Sequence, residues 1–300
     1  MHVTLRQLEV FEAVARHLSY TRAAEELHLT QPAVSMQMRQ LEDAVGLPLF
    51  EQLGKKVFLT EAGRELQHYS RNISQQLSEA AAVFDELKGL QRGRLNVTVA
   101  STANYFVPAL LAAFNKRFPA VSISLDVTNR EGLLRQLQHN ETDIVIMGQP
   151  PEEYDLESAA FKDNPLVVVA PPGHELDGRR KVPLKRLEKE VFLVREHGSG
   201  TRIAMERFFR DHGIDITTGM EAGSNEAIKQ SVQAGLGLGL LSKDTINMEL
   251  QLKQLVVLKV EGFPIMRHWY VVHRRGKRLS RATVEFKQFL LERPGARATG

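Results

Sequence analysis

Cysteine is absent from this chain of 300 residues, which removes disulfide staples, thiolate metal sites and a cysteine nucleophile at once. Long apolar runs are absent too. The longest patch, Gly235 to Leu241, falls far short of the ~18 residues a membrane span needs. The N-terminus, Met-His-Val-Thr-Leu-Arg-Gln-Leu-Glu, has neither the basic region nor the unbroken apolar stretch of a signal peptide, so a cytoplasmic protein is expected. A strong charge of one sign is also missing: 39 Lys+Arg stand against 36 Asp+Glu, a net +3. The excess is local. Residues 267–300 hold 9 Lys+Arg against 2 Asp+Glu, while residues 1–92 and 93–266 are each slightly acidic. A nucleic-acid partner therefore has to be argued from where charges sit, not from their sum.

The constellations of an enzyme are missing as well. There is no HExxH metal motif, and the histidines are scattered rather than set at ligand spacing. Neither a GxxxxGK[ST] loop nor a strand–GxGxxG–helix occurs. Gly198-Ser199-Gly200 is not a G-x-S-x-G elbow, because glycine flanks the serine directly. Asp143, before an apolar strand, reads as a cap or ion-pair partner rather than a base. No enzyme and no metal are expected. What remains is ordinary soluble composition, 43% hydrophobic and 25% charged, in a chain long enough for about two domains.

The first sixty residues carry helix signals in close succession. Thr4 with Gln7 forms a capping-box pattern, and Leu5, Leu8, Phe11, Val14, Ala15 and Leu18 follow at helical spacing. Ser19 caps a short second helix containing the small residues Ala23 and Ala24. After His28-Leu29, Thr30 caps a third helix with Pro32 in its first turn, where the missing N–H is harmless. On this third helix Val34, Met38 and Leu41 make the packing stripe, and Gln31, Ser35 and Arg39 make a polar one. Gln and Arg bond base edges in pairs, and Ser reaches bases or phosphates, so the stripe suits a major groove. By itself such a stripe is, in most proteins, a solvated polar face. Leu49-Phe50, Gly54-Lys55-Lys56 and Val57-Phe58-Leu59 then read as a hairpin with a basic tip. Behind a helix-turn-helix such a tip looks like a wing touching phosphates.

Leu8-Glu9-Val10-Phe11, Ala23-Ala24-Glu25-Glu26-Leu27, Thr30-Gln31-Pro32-Ala33-Val34-Ser35, Leu41-Glu42, Gly46, Leu49-Phe50 and Leu59-Thr60-Glu61-Ala62-Gly63 together resemble the LysR-type transcriptional regulators. Many members carry an arginine shortly after the Leu-Phe pair; this chain has Gln52, which leaves Lys55 and Lys56 as the positive charges of the wing.

Beyond Thr60, a candidate N-cap, no proline occurs up to Leu87. Leu66, Tyr69, Ile73, Leu77, Ala80, Phe84 and Leu87 are spaced three or four apart, a heptad-like seam averaging 3.5. The seam suits packing on the chain's own second domain or pairing with a second copy. The resemblance implies the latter, a linker helix that dimerises through Leu66, Tyr69, Ile73, Leu77 and Phe84. Gly63 breaks a capping box at Thr60. Gly89 and Gly93 punctuate a hinge.

From Leu95 on, strands and helices alternate: Leu95–Val99, a helix ended by Pro119, Val121–Val127, a helix near Leu133–Leu137, and a strand after Asp143. A second series runs from Leu166 to Leu241, with a last strand around Met266 to Val272 and a helix from Arg281 to Leu291. This order predicts a mostly parallel α/β sheet. Two such subdomains with two crossings resemble the periplasmic-binding-protein-like effector domain of the same family. The expected fold is thus a winged helix-turn-helix (1–59), a linker helix and hinge (60–92), and an effector domain (93–300). Its first subdomain takes about 93–163 and 267–300, and its second about 164–266.

In open α/β sheets ligands sit at the carboxyl ends of strands, near helix N-termini. Those positions hold Ser101 and Thr102, Thr128 and Asn129, Gln149, then Arg195, Ser199, Thr201 and Arg202 around a glycine-rich loop, and Ser224 and Asn225. Hydroxyls, helix N-termini and arginines favour an anion. Each hydroxyl is equally a simple cap, and Arg202 is equally the partner of Glu206.

Gly198-Ser-Gly-Thr-Arg202, Met205-Glu-Arg-Phe-Phe209, Gly223 to Gln230 and Phe50 to Lys56 look like the Calvin-cycle (CbbR) regulators within that family. The resemblance implies control of carbon-fixation genes and an effector such as a phosphorylated sugar, phosphoglycolate, phosphoenolpyruvate or NADPH, with no other cofactor. It also implies a dimer or tetramer on double-stranded operator DNA with paired half-sites, with RNA polymerase as a further partner. The alternatives are a cytoplasmic small-molecule binding protein whose first domain serves protein contacts, or a LysR-type regulator of a different pathway. The basic run Arg274-Arg275-Gly-Lys277-Arg278 reads first as a solvated loop, then as tetramer packing or a contact to wrapped DNA.

Overall fold

The computed structural model describes residues 2–54, 56–87 and 93–292. It divides into two compact units, the first of residues up to Ala81 together with His139–Glu141, and the second of the remainder, the α/β part of the chain.

The first unit opens with α1 (Leu5–His17), α2 (Tyr20–Glu26) and α3 (Gln31–Val45). The expected caps form. Thr4 Oγ1 accepts from the Gln7 N–H at 3.2 Å, while the Thr4 N–H donates to Gln7 Oε1 at 2.9 Å. Ser19 and Thr30 accept from Arg22 and Ala33. Phe11, Val14, Ala23, Ala24, Val34, Met38, Leu41 and Leu49 make one buried core. Each large side chain there contributes ~1.5–3 kcal/mol. The wing is β1 (Phe50–Leu53) paired antiparallel with β2 (Lys56–Leu59), Phe50 facing Leu59. Its turn begins at Gly54, φ +64°, a conformation that favours glycine. The Leu41-Glu42 pair has a clear use here. The Glu42 carboxylate accepts the N–H groups of Leu49 and Phe50 at 2.8 and 3.3 Å and so holds the start of the wing to α3.

Helix α4 (Glu61–Leu87) follows directly. Thr60 caps it even without a capping box: its hydroxyl accepts from the Gly63 N–H at 3.0 Å and donates to the Pro48 carbonyl at 2.7 Å. Gly63 is there for room, since a Cβ on it would lie 2.1 Å from the Leu49 carbonyl oxygen. Gly63→Ala should therefore push α4 off the wing and lower stability by ~1–3 kcal/mol. Urea unfolding of the full chain checks this; an unchanged midpoint would mean that the junction yields freely.

The second unit holds two five-stranded sheets. The strands and helices of the first are β3 (Gly93–Ala100), α5 (Val107–Arg117), β4 (Val121–Thr128), α6 (Arg130–Gln138), β5 (Ile144–Met147), β6 (Leu156–Asp163), β12 (His268–Arg274) and α10 (Arg281–Leu291). Its strand order is β4-β3-β5-β12-β6. The second comprises β7 (Leu166–Ala170), β8 (Val191–Arg195), α7 (Gly200–Asp211), β9 (Thr217–Ala222), α8 (Asn225–Gln233), β10 (Leu238–Ser242), α9 (Asn247–Gln251) and β11 (Val256–Val257). Its order is β11-β7-β10-β8-β9.

The sheets are mixed, not mostly parallel. β3 pairs parallel with β4 and β5, but β12 runs antiparallel to β5 and β6. In the second sheet β8 pairs parallel with β9 and β10, while β7 runs antiparallel to β10 and β11. The two crossings explain it. β6 carries the chain out and β12 brings it back, so the returning strand enters from the opposite end. At the crossing the two passes are bonded: Asn164 N–H to the Arg267 carbonyl at 2.7 Å, and Leu166 and Ile265 reciprocally. Strand β6 has no counterpart among the expected strands, because its alternation is weak. Gly93, expected in the hinge, instead opens β3, where a Cβ would stand 3.0 Å from that of Ala282. Gly89 lies outside the described residues. Among those residues no helix is long and apolar enough to cross a membrane.

Candidate functional site

Two surfaces matter. On the first unit, Gln31, Pro32 and Arg39 are exposed along α3 and Ser35 is half-buried beside them. Gln31 Nε2 donates to Ser35 Oγ at 2.9 Å, so these two polar groups are already oriented toward each other. Thr30 is exposed, and its hydroxyl is occupied as the cap of α3. Lys56 is exposed at the start of β2, and Lys55 lies outside the described residues. Gln52, at the place of the missing arginine, donates to the Gly54 carbonyl at 3.0 Å and braces the turn.

The seam on α4 divides. Leu66 turns inward and packs on the winged-helix core, so it is a core residue of its own unit. Beyond it Tyr69 (60% exposed), Ile73, Leu77 (47%) and Phe84 (60%) face solvent; the side chain of Leu87 lies outside the description.

In the second unit a cavity of about 490 Å³, counting its open mouth, lies between the two sheets. Ser101, Thr102, Asn129, Arg195, Ser199 and Thr201 line it, as expected. Thr128, Gln149, Arg202 and Asn225 do not. Each has a physical reason. The Thr128 side chain packs in the notch left by Gly132, where a Cβ would meet its Oγ1 at 2.2 Å. Gln149 offers only its carbonyl, which accepts from Arg130 Nη1 at 2.8 Å. Arg202 is held by Glu206 (2.7 Å) and by Glu221. Those carboxylates push its pKa up and leave no charge for a ligand. Asn225 is buried behind the cavity, where its Oδ1 accepts from Arg195 Nη1 at 2.5 Å and its Nδ2 donates to Thr102 Oγ1 at 3.2 Å.

Arg195 is correspondingly a strut. Its guanidinium forks onto Glu196 at 2.7 and 2.8 Å, and it reaches Ser101 Oγ at 3.4 Å across the cleft. It joins the subdomains, and Glu196 already answers its charge.

The cations left over are two that sequence reasoning missed, Arg130 at the start of α6 and Arg267 on the returning crossing. Both are half-buried, and among the described residues neither has a carboxylate at ion-pair distance; they bond the carbonyls of Gln149 and Gly200. Burial lowers the pKa of each, and Arg130 lowers that of Arg267 further. Two like charges thus share a partly dehydrated cavity, an arrangement that an anion relieves. Glycines make the space: a Cβ at Gly148 would stand 3.1 Å from Arg267 Nη2. The first turn of α7 adds N–H groups and the Ser199 hydroxyl, which is not used as a cap. Asn129 does cap α6, accepting from Gly132. Trp269 Nε1 and Asn164 Oδ1, on two other lining residues, are buried and unpaired.

Arg130 is within reach of sequence reasoning, because the first helical residue after the strand end Thr128-Asn129 is as well placed as its predecessors. Arg267 is not, because the rule about carboxyl ends of parallel strands says nothing of an antiparallel returning strand.

Three members of the basic run at the end of β12 bond within the unit. Arg274 donates to the Gln138 carbonyl at 3.3 Å, Arg275 pairs with Asp155 at 2.7 Å, and Lys277 donates to the Thr142 carbonyl at 2.9 Å.

A winged helix-turn-helix followed by a two-lobed α/β domain with a cationic cleft defines a ligand-responsive DNA-binding regulator. Two family models match: "Bacterial regulatory helix-turn-helix protein, lysR family" over residues 5–64, and "LysR substrate binding domain" over 88–295. The chain belongs to the LysR family. It is 60% identical over 291 residues to a RuBisCO operon transcriptional regulator of Allochromatium vinosum, covering 97% of this chain and 96% of that one. Among solved structures it resembles the Synechocystis PCC6803 CcmR regulatory domain in complex with 2-PG. The identity is 44%, the TM-score 0.65, and the match covers 67% of this chain and 96% of that one. A full-length OxyR variant from Pseudomonas aeruginosa matches with a TM-score of 0.74 over 97% of this chain and 96% of that one. At 23% identity that likeness speaks for the fold alone.

Proposed function

We propose that the protein regulates carbon-fixation (Calvin-cycle) genes, RuBisCO genes among them, in response to a small phosphorylated metabolite. The observation that carries the effector class is the pair Arg130 and Arg267, which line one cavity and have no carboxylate at ion-pair distance among the described residues. A phosphate accepts from two guanidinium forks and from helix N–H groups together. Ser101, Ser199 and Thr201 offer hydroxyls around it, and Arg195 with Asn225 and Thr102 holds the two subdomains at the distance a ligand senses. The relatives named for RuBisCO operons and the 2-phosphoglycolate complex of CcmR support the pathway and the effector class. NADPH is set behind a small phosphorylated compound, the class of ligand in the CcmR complex. Effector binding shifts the balance between two arrangements of the subunits, and so the contact with DNA.

The first unit reads paired half-sites as part of a dimer or tetramer. Gln31 and Ser35 contact base edges, Arg39, Pro32 and the α3 cap Thr30 lie along the groove, and Lys55 and Lys56 of the wing meet phosphates. Gln31→Ala should cost ~1–3 kcal/mol at a specific operator and little on random duplex. Equal losses in a competition assay would remove it from base recognition.

The deciding experiment is calorimetric titration of the full-length protein with 2-phosphoglycolate, phosphoenolpyruvate, a phosphorylated sugar and NADPH, with footprinting upstream of its own RuBisCO operon. At least one phosphorylated compound should bind and alter the footprint, and DNA affinity should fall steeply with salt. No footprint there would overturn the pathway; no phosphorylated ligand would overturn the effector class.

A further inference from the structure

Helix α3 carries one feature that its polar stripe does not use. Met36 is 55% exposed, although it sits in the middle of a helix whose other large apolar side chains, Val34, Met38 and Leu41, are buried. At 3.6 residues per turn, Met36 lies about 160° around the helix from both Val34 and Met38. It therefore stands on the crest, as far from the core as the helix allows. Pro32, four residues earlier on the same line, is exposed as well. The crest of the recognition helix is thus an apolar ridge of a proline ring and a thioether. Ser35 lies about 100° to one side of Met36, with Gln31 beyond it in the first turn of the helix. Arg39 and Gln40, both exposed, continue the outer face toward the helix end.

A single exposed methionine is ordinary on a protein surface; what sets Met36 apart is its place on the crest of the helix that the groove-reading stripe belongs to. Beside the donors and acceptors of the major-groove edge, the one methyl group presented there is the C5 methyl of thymine. Methionine is long, unbranched and polarizable, and it adapts to a methyl group better than a β-branched side chain does. We propose that Met36, backed by Pro32, is a specificity-determining residue that reads a thymine methyl in each operator half-site, while Gln31 and Ser35 read hydrogen-bonding edges beside it. The inference rests on α3 being the helix that enters the groove. It assigns to the crest a role that the neighbouring polar side chains cannot fill.

The test uses the full-length protein and the duplex it enriches most strongly from a random pool. Each thymine of that duplex is replaced in turn by deoxyuridine, which removes the methyl and leaves the pairing and the O4 acceptor intact. At one thymine per half-site affinity should fall about fourfold, the effect of one buried methyl-sized group. Met36→Ala should bind the thymine and uracil duplexes equally at that position, and Gln31→Ala should keep the discrimination. Met36 is a surface residue, and an unchanged circular dichroism spectrum with normal effector binding establishes that the variant folds. Two results overturn the inference: wild-type protein indifferent to uracil at every position, or Met36→Ala keeping the full thymine preference. If no duplex is enriched at all, the DNA-reading role of α3 fails, and the assignment of Met36 fails with it.

Discussion

Leu77→Lys should convert the protein to monomers in sedimentation and lower its affinity for a two-half-site operator by ~10²–10⁴-fold. The reason lies on one face of α4. Tyr69, Ile73, Leu77 and Phe84 are all exposed, and they belong to a seam, Leu66 to Leu87, whose steps of three and four suit a helix that winds around another. If α4 pairs with a second copy, as the seam suggests, a lysine in its middle would put two like charges across the two-fold axis and strip the apolar contact there. Each half-site contact survives, but the second is no longer intramolecular. Leu66 makes the control. Because it packs on the core of its own unit, Leu66→Ala should lower stability and leave the oligomer intact. An unchanged oligomer in Leu77→Lys would assign dimerisation to another surface.

The second large effect is at the cleft. Arg267→Ala should weaken binding of a phosphorylated effector by about 10–100-fold, since hydrogen bonds to a charged group contribute ~1.5–3 kcal/mol. Operator binding by the unliganded protein should be unchanged. Arg267→Lys keeps the charge but loses the fork, so it should fall between. Arg202→Ala should change effector affinity less than about twofold, because its guanidinium is committed to Glu206 and Glu221. Thermal shift with and without effector reads all three. A strong loss in Arg202→Ala with none in Arg267→Ala would reverse the assignment.

Local chemistry explains which parts of this protein can be read without coordinates. Caps and helical periods are short-range: Thr4 with Gln7, Ser19, and Thr30 with Pro32 act within one turn. The three helices of the first unit and the order of most strands and helices after Leu95 therefore stand in the chain itself. So does family membership, through an ordered string of short motifs. Strand direction is different. That β7 and β12 run antiparallel to their neighbours follows from two crossings hundreds of bonds apart, and no local preference encodes it.

The same contrast runs through the candidate sites. The residue types around the cleft, with hydroxyls and arginines at strand ends, point to an anion by themselves. Near neighbours, Glu196 beside Arg195 and Glu206 one turn from Arg202, answer part of the charge, and partners distant in sequence complete the choice of which arginine stays free. Glu221 takes Arg202, Asn225 joins Glu196 in holding Arg195, and Arg130 meets Arg267 with no described carboxylate between them. The chain's modest +3 has a similar resolution. The basic excess near the C-terminus looks available in the sequence, but within it Arg275 and Lys277 stand beside Asp155 and Asp143. Composition and motif thus determine that this is a LysR-family regulator with a winged helix and an anion-favouring cleft. The tertiary structure alone decides which charges remain unanswered, because neutralisation depends on distance in space and not on distance along the chain.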